Sequence, residues 1–246
     1  MDILQKLCVL AEGASPEVDA PCGLRRGEAN PLTRFIAPAI GKGGRVVLLL
    51  KILQDNACLF NCGYCGLHAS ARTPHVSIAP DDLARLFMDM LNKKMVSGLF
   101  LSSGIAGSPN RAMQRMLDTV ELLRQGYEFK GYIHMKIMPG CSFEYVEQAV
   151  RLADRVSINL EAPTPEHLAR IADKKVFHSA LVQPMRWVKQ LAQRGLATSA
   201  GMTTQYVVGA AGEADRDLLG TTQMLMREVD LRRAYYSAFS PVPGTA

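Results

Sequence analysis

Val46-Val-Leu-Leu-Leu-Lys-Ile-Leu53 runs through Gln54-Asp55-Asn56 into Cys58-Leu-Phe-Asn-Cys62-Gly-Tyr-Cys65. The first part is a short apolar run, with Gly43-Gly44 before it and polar residues after it, which predicts a buried strand. The second part places three cysteines at C-x3-C-x2-C spacing on a glycine-containing loop. Three thiolates on one tight loop can hold three corners of a cubane, and soft sulfur donors select iron–sulfur chemistry or zinc. A [4Fe–4S] cluster held by three cysteines keeps one iron open for an exogenous ligand.

Other readings compete. Inert core cysteines are common, but they are not bunched three to a short loop. A disulfide framework belongs to secreted chains, and the start of this one does not have the form of a signal peptide. Zinc is the serious rival: His68 follows Cys65 by three residues and could close a Cys3His site. The strand-then-loop context and the later segments favour the cluster.

At 246 residues, 48% of them hydrophobic and 21% charged, the chain is long enough for one substantial core. Its apolar runs fall far short of a membrane span, and Met1 to Leu7 looks like a short amphipathic helix rather than a targeting signal. Six cysteines without a regular framework point to a reducing, cytoplasmic setting. Cys8, Cys22 and Cys141 are scattered, so they are expected to be structural, with an auxiliary metal site as the alternative. A net charge of +5 permits a polyanionic partner without demanding one. The pairs Arg25-Arg26, Lys93-Lys94, Lys174-Lys175 and Arg232-Arg233 are expected to be solvated surface.

Residues 13–44, rich in Pro, Gly and Ala, are expected to be an irregular lead-in. Beyond the cysteine loop, strands alternate with helices. The strands are expected at Gly98 to Ser102, Gly131 to Ile137, Arg155 to Glu161, Gly201 to Gly209 and Arg233 to Phe239. Helices open at Pro80, Ser108-Pro109, Ser142 and Thr164-Pro165, and two more cover about Ser179 to Arg194 and Glu213 to Val229. This predicts a parallel sheet with right-handed crossovers: an α/β partial (β/α)6 TIM-type barrel. The lead-in would cover 1–44 and the barrel 45–246.

Alternation within the strands says more. Tyr132, His134 and Lys136 share one face against Ile133, Met135 and Ile137, and Ser157, Asn159 and Glu161 oppose Val156, Ile158 and Leu160. Thr203 and Gln205 continue the polar side, although Thr204 blurs the contrast. A parallel sheet buried on both faces normally reads as continuous Val/Ile/Leu. One polar face therefore implies an open interior around a polar ligand, or else a hydrogen-bonded core network, which is costlier because every buried polar group must be satisfied. In such folds ligands sit at the carboxyl ends of the strands. The cysteine loop, Ser102-Ser103-Gly104, Asn159, Glu161 and Gly209 all lie there.

With these residues assembled, the chain resembles the radical S-adenosylmethionine (radical SAM) superfamily. The resemblance implies that Cys58, Cys62 and Cys65 hold a [4Fe–4S] cluster whose fourth iron chelates S-adenosylmethionine. It also implies cleavage to a 5′-deoxyadenosyl radical. Ser102-Ser103-Gly104 stands where the superfamily has Gly-Gly-Glu, so only the backbone role toward the methionyl amino group carries over. Asn159 and Glu161 match ribose and carboxylate contacts. Tyr64, Gln205, Val207 and Gly209 match the segments along the adenine. Lys136 either pairs with the methionyl carboxylate or snorkels at a strand end.

A closer resemblance is to a subfamily of DNA modification/repair radical SAM proteins associated with uracil-DNA-glycosylase-like partners. Leu50 to Cys58, Gly98 to Gly104, Gly131 to Lys136 and Tyr235 to Thr245 carry it, so it covers most of the chain from Arg45 onward. It implies a one-electron donor such as flavodoxin or ferredoxin, and DNA as a partner. Members continue past Pro-Val-Pro-Gly-Thr into a helical DNA-binding tail; this sequence stops at Ala246, so the expectation is either a fragment or a chain that lacks that tail.

Overall fold

A computed structural model describes residues 3–14, 36–40, 46–71 and 73–242. Arg25-Arg26, Cys22 and the chain from residue 243 onward lie outside these residues. The helices are α1 (Ile3–Gly13), α2 (Pro80–Asn92), α3 (Pro109–Glu121), α4 (Phe143–Leu152), α5 (Pro165–Ile171), α6 (Gln183–Gln193) and α7 (Asp215–Glu228). The strands are β1 (Ile36–Ile40), β2 (Val46–Leu53), β3 (Gly98–Ser102), β4 (Tyr132–Lys136), β5 (Arg155–Ser157), β6 (Met202–Val208) and β7 (Arg233–Ala238). They form one sheet in the order β1-β2-β3-β4-β5-β6-β7. Strands β2 to β7 are parallel, and the sheet curls into a half-barrel clad by the helices.

The helices start and stop for local reasons. Ser108 and Thr164 accept hydrogen bonds from Arg111 N and His167 N, and a proline follows each cap. One π-helical turn, Leu122–Gly126, ends α3, and another, Phe177–Val182, leads into α6. The apolar strand face (Leu99, Leu101, Ile133, Met135, Val156) packs against helix residues such as Phe87, Met113, Met116, Val146 and Leu225 in one continuous core. Burying each such side chain contributes roughly 1.5–3 kcal/mol.

Three expectations need correction. First, the lead-in contains a strand: β1 pairs antiparallel with β2, so the sheet is mixed and has seven strands. Second, the strand expected over Arg155 to Glu161 leaves the ladder after Ser157. Thr204 Oγ1 donates to Ile158 O at 2.7 Å and accepts from Leu160 N at 3.0 Å, standing in for ladder bonds. The chain bulges there and rejoins at Glu161, which bridges to Tyr206. The hydroxyl that blurred the sequence pattern is thus the one that holds the bulge. Third, the polar strand face divides between both readings given above. In its lower half Lys51, Phe100 and His134 stand in one row across β2, β3 and β4. The Phe100 and His134 rings meet edge to face at 4.6 Å. His134 Nε2 and Ser157 Oγ are 2.9 Å apart. This half is a packed floor, and only the upper half is open.

Candidate functional site

The sequence that places the cysteines begins one residue after β2. Gln54, Asp55 and Asn56 are buried, with 0%, 4% and 5% of their surface exposed, although all three are polar. Each is satisfied. Gln54 Nε2 donates to Ile78 O at 2.6 Å, and its Oε1 accepts from Thr119 Oγ1 at 2.7 Å. Asp55 Oδ1 accepts from Ala57 N and pairs with His75 Nε2, both at 2.8 Å. Asn56 bonds Val76 N and Pro74 O through its side chain. From this base the loop is tied outward: Gly104 N donates to Asp55 O, Leu59 N to Ile105 O, and Gly63 N to Ile171 O. Gly104 passes so close that a Cβ on it would collide with the Ala57 carbonyl oxygen. No other residue fits there without moving the loop.

The loop closes one side of a cavity of about 390 Å³ at the carboxyl ends of the strands, a size typical of small-molecule sites, which run roughly 300–1,000 Å³. Cys58, Cys62, Tyr64 and Cys65 face it, with Ser102, Ser103 and Gly104 beside them. Lys136, Asn159, Glu161, Gln205 and Val207 complete the opposite wall. Gly209 is not on that wall. It turns with φ +87°, and its N–H bonds the Glu213 carboxylate beyond the rim. Glu161 has φ +68°, an uncommon conformation for a residue with a side chain. The bulge before it imposes this and aims the carboxylate inward.

One buried side chain at the site falls within a pair expected to be surface. Lys175, in the segment after α5, is 8% exposed at its side chain. Its Nζ donates to Tyr64 Oη at 2.7 Å and to Glu161 Oε1 at 3.3 Å. It also lies 5.4 Å from the centre of the Tyr64 ring. Lys174, beside it, is exposed. Burial opposes the Lys175 charge, but Glu161 and the thiols more than offset it, so the ammonium is held above the ordinary lysine value. Burial pushes the Cys65 thiol up to about 11, and raises Cys62 against the pull of Lys175. The Tyr64 hydroxyl is raised by burial first and then by Glu161. The Cys62 and Cys65 thiols therefore hold their protons in the metal-free protein, and binding a metal would release them.

These residues suit an iron–sulfur cluster better than one zinc ion. His68 is half-buried and is not on the cavity wall. Among the described residues, no three His, Cys, Asp or Glu side chains gather closely enough for one ion. The separated corners of a cubane do not require that spacing. Cys141 is buried away from the cavity, its thiol pushed up to about 12 by burial, and Cys8 is exposed on α1. Neither joins the site.

A half-barrel with a three-cysteine loop after its first parallel strand and a polar cavity at the strand ends defines a class of cofactor-binding α/β enzymes. The family model for the radical SAM superfamily matches residues 55–225, and the chain belongs to that superfamily, whose members use a [4Fe–4S] cluster and S-adenosylmethionine. Among solved structures, it is similar to the FeFe-hydrogenase maturase HydG from Carboxydothermus hydrogenoformans. Identity there is 12% and the TM-score 0.61, over 78% of this chain and 44% of that one. It is also similar to methylornithine synthase (PylB), at 15% identity and TM-score 0.63 over 79% of this chain and 54% of the other. A third is the radical S-adenosylmethionine methyltransferase TsrM from Kitasatospora setae, at 12% identity and TM-score 0.57 over 89% of this chain and 37% of the other. At such identities the likeness shows the fold. The chain spans about half or less of the length of these proteins. No curated protein matches it. Among the described residues no helix is long and apolar enough to cross a membrane.

Proposed function

We propose that this chain is a radical SAM enzyme that acts on nucleic acid, in DNA modification or repair. The observation that carries the enzyme reading is the single cavity onto which the three thiols and the polar strand ends converge. Cys58, Cys62 and Cys65 hold the cluster, leaving one iron for the cofactor's amino and carboxylate groups. When bound, the cluster and S-adenosylmethionine supply the one-electron cleavage that generates a 5′-deoxyadenosyl radical. The chain's own residues bind, orient and exclude water. Ser102, Ser103 and Gly104 offer backbone carbonyls, Lys136 offers a cation to the carboxylate, and Asn159 and Glu161 supply the ribose and carboxylate contacts. Tyr64, Gln205 and Val207 flank the adenine, and Gly209 shapes the turn behind it.

The nucleic-acid reading rests on the sequence resemblance and is compatible with the net charge of +5. A one-electron donor such as flavodoxin or ferredoxin, and a uracil-DNA-glycosylase-like protein, are the partners it implies. The cytoplasm, which keeps thiols reduced, is the compartment it suits. The test is anaerobic reconstitution followed by measurement of 5′-deoxyadenosine release under reductant, with DNA, RNA or neither. Release stimulated by DNA supports the whole reading. Release indifferent to nucleic acid retains the enzyme and refutes the substrate class.

A further inference from the structure

Lys175 lies in no motif, yet it is the cation buried beside the cysteine loop. Its ammonium is fixed from two sides. Tyr64 Oη accepts from Nζ at 2.7 Å, and Glu161 Oε1 accepts at 3.3 Å. Tyr64 sits between Cys62 and Cys65 in the chain, and its side chain lines the same cavity as both. The ammonium, the phenol it holds and the cysteines therefore lie together on one cavity. A phenol that accepts from a cation is polarised, and its dipole adds to the cation's field at the cysteines on either side of it in the chain. Gly63 N donates to Ile171 O at 2.8 Å, tying the cysteine loop to the end of α5, so the segment that brings Lys175 in moves with the loop.

We propose that Lys175, acting through Tyr64, is a positioning residue that sets the reduction potential of the cluster held by Cys58, Cys62 and Cys65. The inference rests on those cysteines being the ligands. Reducing a cluster adds negative charge to it. A buried cation, and a phenol polarised by it, favour the more negative state, so both raise the potential. Glu161 opposes this in part, but its main effect is to keep the ammonium in place and charged. Lys175 is only 8% exposed at its side chain, so its fixed charge is weakly screened and its effect persists at high salt. The arrangement makes the cluster easier for a one-electron donor to reduce before any cofactor arrives.

The experiment is a redox titration of reconstituted protein, followed by electron paramagnetic resonance of the reduced cluster and performed without S-adenosylmethionine. That omission separates potential tuning from any contact Lys175 makes with the cofactor. Lys175→Met should lower the reduced-to-oxidised ratio at fixed potential about tenfold, which for a one-electron couple is about 59 mV. Tyr64→Phe should give a smaller drop in the same direction, and Lys175→Arg should restore most of the wild-type value. Iron and sulfide content is measured first in each variant. Wild-type protein that takes up no cluster would refute the ligand assignment beneath this proposal. Full cluster content with an unchanged potential in Lys175→Met would refute the tuning role alone. If Lys175→Met does not assemble a cluster, Tyr64→Phe decides, and an unchanged potential there overturns the proposal.

Discussion

On the β2–β3 side of the cavity, the residues beneath the cysteines are polar, buried and bonded on every side. On the β6–β7 side, the rim is formed by Ala238 and Ser240, with Gly209 turning away just beyond it, all three exposed, and the last ladder bond there is Phe239 N to Val208 O. The difference is one of rigidity. Buried polar groups with satisfied bonds admit a single arrangement, whereas an exposed strand end with few partners opens at low cost. Such a division suits a site in which one component is resident and another comes and goes.

The comparison is broken most completely at the cysteines. Cys62→Ala should abolish cluster assembly, read as loss of the brown chromophore and of bound iron and sulfide. Full iron content in that variant would contradict the ligand set. Next come two glycines, one on each side of the molecule compared above. Gly104→Ala forces a Cβ against the Ala57 carbonyl and should cost about 3 kcal/mol in chemical denaturation, with the cysteine loop displaced. Thr119→Val leaves Gln54 Oε1 without its donor in a fully buried place and should cost about 2 kcal/mol by the same measurement. Gly209→Ala meets open space, so only its φ of +87° is penalised. About 1 kcal/mol is expected, with cluster content unchanged. Equal losses for the two glycine variants would remove the contrast between the two sides.

Much of this was legible in the sequence because it depends on local pattern. The alternation of Ile133, Met135 and Ile137 with His134 and Lys136 is enough to orient β4, and Ser108-Pro109 is enough to start α3. What was not legible depends on contacts distant in the chain. Ile36-Ala-Pro-Ala-Ile40 has no period of its own, and its pairing with β2 makes it a strand. Lys174 and Lys175 are chemically identical, and only the docking of the α5 segment against the cysteine loop decides which is buried. Thr204 looked like noise until the bulge it supports was seen. Gly209 marks the end of β6 correctly, but the chain turns outward there rather than toward the cavity.

The proline in β1 has a consequence of another kind. Pro38 lies opposite Leu48, whose backbone N–H and C=O engage Ser97 of the neighbouring segment rather than β1. In an antiparallel pair, the backbone groups of such opposed residues point away from each other. Pro38 therefore forfeits no bond to β2, and what it withholds is a donor on the outer border of the sheet, where a foreign strand would otherwise dock. The chain is thereby guarded against self-association along the border next to the strand that carries the cysteine loop.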